Sequence, residues 1–257
     1  MTLTCLAENT SASGLPTEHG LSLHIATEGI NILFDMGQTE LFAANAQRLG
    51  VDLAEVDIAI LSHGHYDHGG GLKKFLELNS KATVYIPQNA FIPHYNGTRK
   101  YIGLDQSLKD DPRLVTVCDD ITLADGISII THRKVPTLHQ PSGDGLTMMT
   151  PNGLAPDDFD HEQYLMIVKD GKRVLFSGCS HRGILNIMEA MTPDVLVGGF
   201  HFSKLELDDS LAQKAKALGK YPCQYHTCHC TGTEQFEFMK QYISGLSYLS
   251  CGDKIEI

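Results

Sequence analysis

No run of about 18 apolar residues occurs in this 257-residue chain, so no membrane-spanning helix is expected. Positive charge is scarce: 20 Lys and Arg stand against 31 Asp and Glu, a formal net charge of −11. A surface that wraps nucleic acid needs a basic patch to release counterions, so nucleic acid is not an expected partner, and neither is a membrane. A local basic rim around an anionic or phosphorylated small molecule is compatible with this balance. Residues 1–9 lack a basic region followed by an apolar core, so no secretory signal is visible. The cysteines number seven, an odd count. Without a signal they read as reduced thiols of a cytoplasmic protein, not as a disulfide framework. Several catalytic fingerprints are missing: there is no G-x-S-x-G elbow, no P-loop and no G-x-G-x-x-G turn. Tryptophan is absent, whereas histidine reaches thirteen. Histidine is the commonest metal ligand, so its placement decides the reading.

Hydrophobic periodicity gives a mixed pattern. Residues 21–27 alternate as a half-buried strand, turn at Glu28-Gly29 and return as a more apolar strand over 31–36. Helices are expected at 39–49, 71–78, 184–191, 210–218 and 234–242, with Gly50 as a C-terminal stop. Further strands are expected at 56–61, 82–86, 114–118, 127–131 and 195–200, and within 247–257. Asp170-Gly171, between 164–169 and 173–177, is the strongest hairpin signal. Hairpins with helices inserted between strand pairs suggest two sheets packed face to face, with helices outside. The stretch 131–160 is rich in Pro and Gly with little periodicity, and reads as a lid or insertion.

The most informative segment is Ser62-His63-Gly64-His65-Tyr66-Asp67-His68-Gly69-Gly70-Gly71, directly after the apolar strand at 56–61. His63 and His65 are two apart, so an extended backbone projects both to one side. Asp67 and His68 follow as the chain turns toward a helix. Two imidazoles can hold one cation while a carboxylate and a third imidazole hold a second. Closed structural zinc sites favour cysteine; a His and carboxylate set suits a catalytic metal with an open position.

His63-Gly64-His65-Tyr66-Asp67-His68, with Leu33-Phe34-Asp35-Met36-Gly37 upstream, resembles the metallo-β-lactamase superfamily of metallohydrolases. Glu18-His19-Gly20, Ser177-Gly178-Cys179-Ser180-His181, Gly198-Gly199-Phe200-His201 and His229-Cys230-Thr231-Gly232 resemble one branch of it. Members of that branch are labelled dihydropterin-ribofuranosylaminobenzene-phosphate-synthase-like. The resemblance implies one α/β domain over 1–257, a four-layer αββα sandwich, with two divalent metal ions at the shared edge of its sheets. Zinc is the first choice, and iron or manganese suit the same ligands. It also implies water activated against a phosphoester or carbonyl-type substrate, with Asp67 both ligating the second metal and steering the nucleophile or passing a proton. Two other outcomes stay open: carbon–nitrogen or carbon–carbon bond formation on a pterin phosphate, and a non-catalytic metal sensor. The related diiron oxygen reductases prefer H-x-E-x-D, which this chain lacks.

Under this resemblance His229 is the candidate for the superfamily's last histidine. The middle histidine is His181 or His161, with His181 ranked first for its place on a strand-end turn. Where many members carry a bridging Asp after Gly, this chain has Cys179. Either Cys179 coordinates, or it packs as a small hydrophobe while His181 ligates; the second is favoured. Extended alternation would put 179 and 181 on one side, so the turn decides. Asp35 is expected to orient a ligand histidine. His201 and His19 are candidate substrate contacts, with Arg182 and Lys204 for anionic groups. Cys223, Cys228 and Cys230 lack the paired knuckles of zinc modules and read as reduced core thiols near His229.

Overall fold

Alternating apolar residues such as Leu23, Ile25, Ile32 and Phe34 make strands whose inward side chains are fully buried. The computed structural model describes residues 1–257, and the chain forms two compact units. The first comprises Met1–Cys118, Gly145–His161 and Ser250–Ile257; the second comprises Asp119–Asp144 and Glu162–Leu249.

The first unit carries a seven-stranded sheet in the order Lys254–Glu256, Thr2–Ala7, Ser22–Thr27, Ile30–Phe34, Ile58–Ile60, Thr83–Pro87, Leu114–Val117. Pairing is antiparallel up to Ile30–Phe34 and parallel from there on. Parallel neighbours need crossovers, and helices Leu41–Leu49 and Leu72–Leu78 provide two of them. Gly50 ends the first of these helices in the left-handed conformation, its N–H returning to the carbonyls of Ala46 and Gln47. Phe42, Ala46, Leu72 and Phe75 pack on Leu6, Leu33, Leu61 and Val84. Each large apolar side chain buried this way contributes about 1.5–3 kcal/mol.

The second unit repeats the plan. Its seven strands run Leu246–Tyr248, Gln224–Thr227, Val195–Gly198, Lys172–Ser177, Gln163–Lys169, Ile127–Thr131, Ile121–Ala124. The first four are mutually parallel and the remainder antiparallel. The hairpin at Asp170-Gly171 has positive φ at both residues, as a turn matched to strand twist requires. Helices Ile184–Met191, Asp209–Leu218 and Thr233–Met239 place Ile187, Met188, Leu211, Leu218 and Met239 against Tyr164, Leu175, Leu196 and Tyr225. The α/β class expected from the sequence is the class observed. No helix is long and apolar enough to cross a membrane.

One expectation needs correction. The stretch 131–160 is not irregular: it holds the turn His132–Lys134 and the strands Leu146–Thr150 and Gly153–Pro156. These strands join His94–Asn96 and Lys100–Tyr101 in a four-stranded antiparallel sheet of the first unit. Asn152-Gly153 is a hairpin signal, and the Thr and Met residues of the first strand hid its pattern.

Candidate metal centre

In both units the chemistry-bearing residues sit just past the C-terminal ends of parallel strands, where open α/β sheets bind ligands. In the first unit Asp35 follows Ile30–Phe34, and His63 to His68 follow Ile58–Ile60. His63, Asp67 and His68 are buried and bring one donor atom each within 4.8 Å of one another. The His63 ring centroid is 4.2 Å from that of His68 and 4.6 Å from that of His65.

A hydrogen-bond network sets the state of these rings. The Asp35 carboxylate is fully buried and accepts from the Ser62 N–H at 2.7 Å, the Ser62 hydroxyl at 2.7 Å and His68 Nδ1 at 2.6 Å. A carboxylate only accepts, so His68 carries its proton on Nδ1 and its lone pair on Nε2. The Ser62 hydroxyl spends its one proton on Asp35. It therefore accepts from His63 Nδ1, 2.8 Å away, and leaves the His63 lone pair on Nε2 as well. Carboxylate and hydroxyl partners of this kind orient metal-binding imidazoles. His19 is exposed, with Nε2 3.2 Å from Asp67 Oδ2.

His65 belongs to a second buried group, with His94, Asp157 and His161, whose donor atoms also lie within 4.8 Å of one another. Asp157 Oδ2 lies 2.7 Å from His94 Nδ1, and Oδ1 lies 3.2 Å from His161 Nε2. His161 Nδ1 accepts from the Gly64 N–H at 3.0 Å. Both nitrogens of His161 are thus engaged, and the ring braces the glycine between His63 and His65. Burial opposes ionisation of Asp157, but hydrogen bonds from His161 and His94 outweigh it and hold the carboxyl well below the usual range. Burial keeps His65 and His161 neutral, with pKa values below that of a free imidazole. Sequence reasoning missed His94 and Asp157; His94 opens one strand of the small sheet and Asp157 follows another, and neither strand is visible in the sequence pattern.

Two predictions follow from this geometry. A Cβ at Gly64 would stand 2.5 Å from the Ala90 carbonyl oxygen. Gly64→Ala is therefore expected to cost about 1–3 kcal/mol. It should also weaken metal binding, measured by urea unfolding and chelator competition. The second concerns pH. Histidines with depressed folded pKa values favour the fold above the free imidazole pKa, and that stability is lost as pH falls below it. The metal-free protein should lose stability as pH falls through the free imidazole range, with a slope approaching roughly 1.4 kcal/mol per pH unit from His65 and a smaller addition from His161. Urea midpoints between pH 7.5 and 5.5 check this; a flat profile would contradict it.

In the second unit, Cys179 and His181 follow Lys172–Ser177, His201 follows Val195–Gly198, and His229 follows Gln224–Thr227. Cys179, His181 and His229 are buried and His201 half-buried. Ser180, His201 and His229 all have left-handed φ, as does Asp35 in the first unit. Such backbone costs on the order of 1–3 kcal/mol per residue and clusters at functional sites. The fully buried Glu162 accepts from the backbone N–H groups of His181 at 2.7 Å and Arg182 at 2.8 Å, and from the Tyr164 hydroxyl at 2.8 Å. Burial pushes its carboxyl above the ordinary range. His181 Nδ1 lies 3.1 Å from the Ser142 carbonyl, so it donates there and keeps its lone pair on Nε2. The His181 and His201 rings are 4.5 Å apart. Cys230 Sγ donates to the Cys179 carbonyl at 3.6 Å. Burial pushes the Cys223 thiol up to about 12, so it stays protonated at neutral pH. The Arg182 guanidinium is tied to Val135 O and Thr137 Oγ1, each at 3.3 Å, and Lys204 is exposed.

The family model of the metallo-β-lactamase superfamily matches residues 16–220. The chain is 28% identical to 7,8-dihydropterin-6-methyl-4-(β-D-ribofuranosyl)-aminobenzene-5′-phosphate synthase of Methanocaldococcus jannaschii, over 98% of this chain and 95% of that protein. It is 27% identical to MJ0448 of the same organism, over 92% and 93% of the two chains. Among solved structures it resembles Tm1679, described as a metal-dependent hydrolase of the β-lactamase superfamily. That match has a TM-score of 0.84 and 28% identity, over 100% of this chain and 99% of that one.

Proposed function

Because this chain belongs to the metallo-β-lactamase superfamily, we propose that it is a metal-dependent hydrolase acting on a small phosphoester or carbonyl-type substrate. The observation that carries the reading is the Asp35–Ser62 network. It fixes the tautomers of His63 and His68 so that each offers a buried Nε2 lone pair beside the Asp67 carboxylate. This donor set fits divalent cations, with zinc first and iron or manganese on the same ligands. The reading assigns His63, His65, Asp67 and His68 as ligands. It adds His181 and His229 on the resemblance of their strand-end motifs and on the His181 tautomer.

A bound pair of ions supplies Lewis acidity and lowers the pKa of water toward neutrality. The chain's own groups do the rest. Asp67 orients the attacking water through an acceptor oxygen and takes up or passes on its proton. His19, exposed beside the Asp67 carboxylate, is placed to donate to it from Nε2 and to hold its orientation. Asp35 prevents His68 from turning and stabilises its Nδ1–H. His201, beside His181, is the candidate contact for an anionic substrate group.

The likeness to the pterin-phosphate synthase favours a second reading, bond formation on a phosphorylated pterin precursor. The two are separated by assaying phosphodiester, phosphomonoester, thioester and lactam substrates with zinc, manganese and iron added separately. Turnover of one class, abolished by chelator and restored by one metal, supports hydrolysis. Inactivity on all of them in metal-loaded protein would contradict it.

A further inference from the structure

We propose that His94 is a metal ligand of this centre, its Nε2 presenting a lone pair to the ion held through His65 while Asp157 locks the ring. The inference rests on the metal-centre reading above and extends the donor set beyond the His63–His68 segment.

Asp157 can only accept, so the proton of His94 sits on Nδ1, 2.7 Å from Oδ2. That leaves Nε2 as a bare acceptor. His94 is fully buried and Nε2 has no hydrogen-bond partner. Nine in ten buried polar atoms or more are partnered, so a buried lone pair without a protein partner needs a reason. A coordinated cation is such a reason, and a carboxylate on the opposite nitrogen is how proteins prepare an imidazole for one.

The neighbours agree. The His65 ring stands edge-on to His94 at 5.5 Å, and donor atoms of His65, His94, Asp157 and His161 fall within 4.8 Å of one another. Ligands around a tetrahedral zinc with bonds of about 2.1 Å are roughly 3.4 Å apart, so modest side-chain movement closes the set. His161 is close too, but Gly64 and Asp157 occupy its two nitrogens. His94 is the ring about Asp157 that keeps one nitrogen open. Its mounting is rigid. The His94 carbonyl accepts from the Ile102 N–H at 2.8 Å, and Asp157 Oδ1 accepts from the Phe159 N–H at 2.9 Å. Neutral imidazole donors select zinc, cobalt, nickel or iron over magnesium and calcium.

The test uses the full-length protein loaded with cobalt(II). His94→Asn keeps an N–H donor toward Asp157 but deletes Nε2; Asp157→Asn keeps His94 but removes the carboxylate. In wild type, His94 Nδ1–H should give an exchangeable, hyperfine-shifted proton resonance. His94→Asn should lose that resonance and weaken one ion by more than the 10–100-fold expected for Asp157→Asn. The second ion should stay in place. Full retention of shifted resonances and of affinity in His94→Asn overturns the proposal while leaving the metal centre intact. A wild-type protein that binds no cobalt overturns both. A measurement that needs no variant is the ¹⁵N shift of His94 Nε2 on adding zinc to the metal-free protein. A coordination shift supports the assignment, and an unchanged shift in zinc-loaded protein rejects it.

Discussion

Replacing His63 and His65 together by alanine is expected to remove at least one equivalent of bound metal and to leave the sheets folded. Both residues lie past the end of Ile58–Ile60, so the ladder to Ile30–Phe34 and Thr83–Pro87 does not depend on them. What the double variant loses is local: two donor nitrogens and the hydrogen bond between Ser62 and His63. Losing one supporting partner of a ligand typically costs 10–100-fold in metal affinity or activity, and losing two ligands should exceed that. Elemental analysis gives the metal content and far-UV circular dichroism the fold. A double variant with its full metal complement would remove these histidines from the site.

Asp35→Ala is expected to be the most destabilising single change. It strips the partner from three buried donors at once: the Ser62 N–H, the Ser62 hydroxyl and His68 Nδ1–H. Breaking a buried charged partnership of this kind costs about 3–5 kcal/mol. Alanine must also adopt the left-handed backbone of this position, φ 61°, which Asp and Asn tolerate better. Asp35→Asn keeps the shape and the turn and should fall between wild type and Asp35→Ala. Its metal affinity should still drop about 10–100-fold, because His68 loses the carboxylate that fixes its ring. Urea unfolding and chelator competition on both variants check the ranking. An Asp35→Ala protein within 0.5 kcal/mol of wild type, a margin typical of neutral surface changes, would contradict it.

The sequence made some of this legible because the relevant residues are contiguous. His63 to His68 form one short segment after an apolar strand, and their order alone marks a metal site. Helix Ile184–Met191 and the hairpin at Asp170-Gly171 were readable because periodicity and turn chemistry agree there. The His94–Asp157 pair was not readable. Its members come from distant parts of the chain and meet through a small sheet of short strands. Leu146–Thr150 mixes Thr and Met and shows no strand alternation. Thr2–Ala7 alternates only over its first four residues and ends in three consecutive apolar ones, so its pattern is weak. The choice between Cys179 and His181 was unreadable for another reason. Strand alternation was the only available guide, and Ser180 at φ 58° breaks it.

The most direct test of the central claim, a divalent-metal centre built on His63, His65, Asp67 and His68, is zinc titration of the metal-free, full-length protein. The bound metal should be counted by elemental analysis after desalting. Two ions per chain, with binding weakening as pH falls because only neutral imidazole ligates, is the result this account expects. A folded protein that retains no zinc at neutral pH would contradict it.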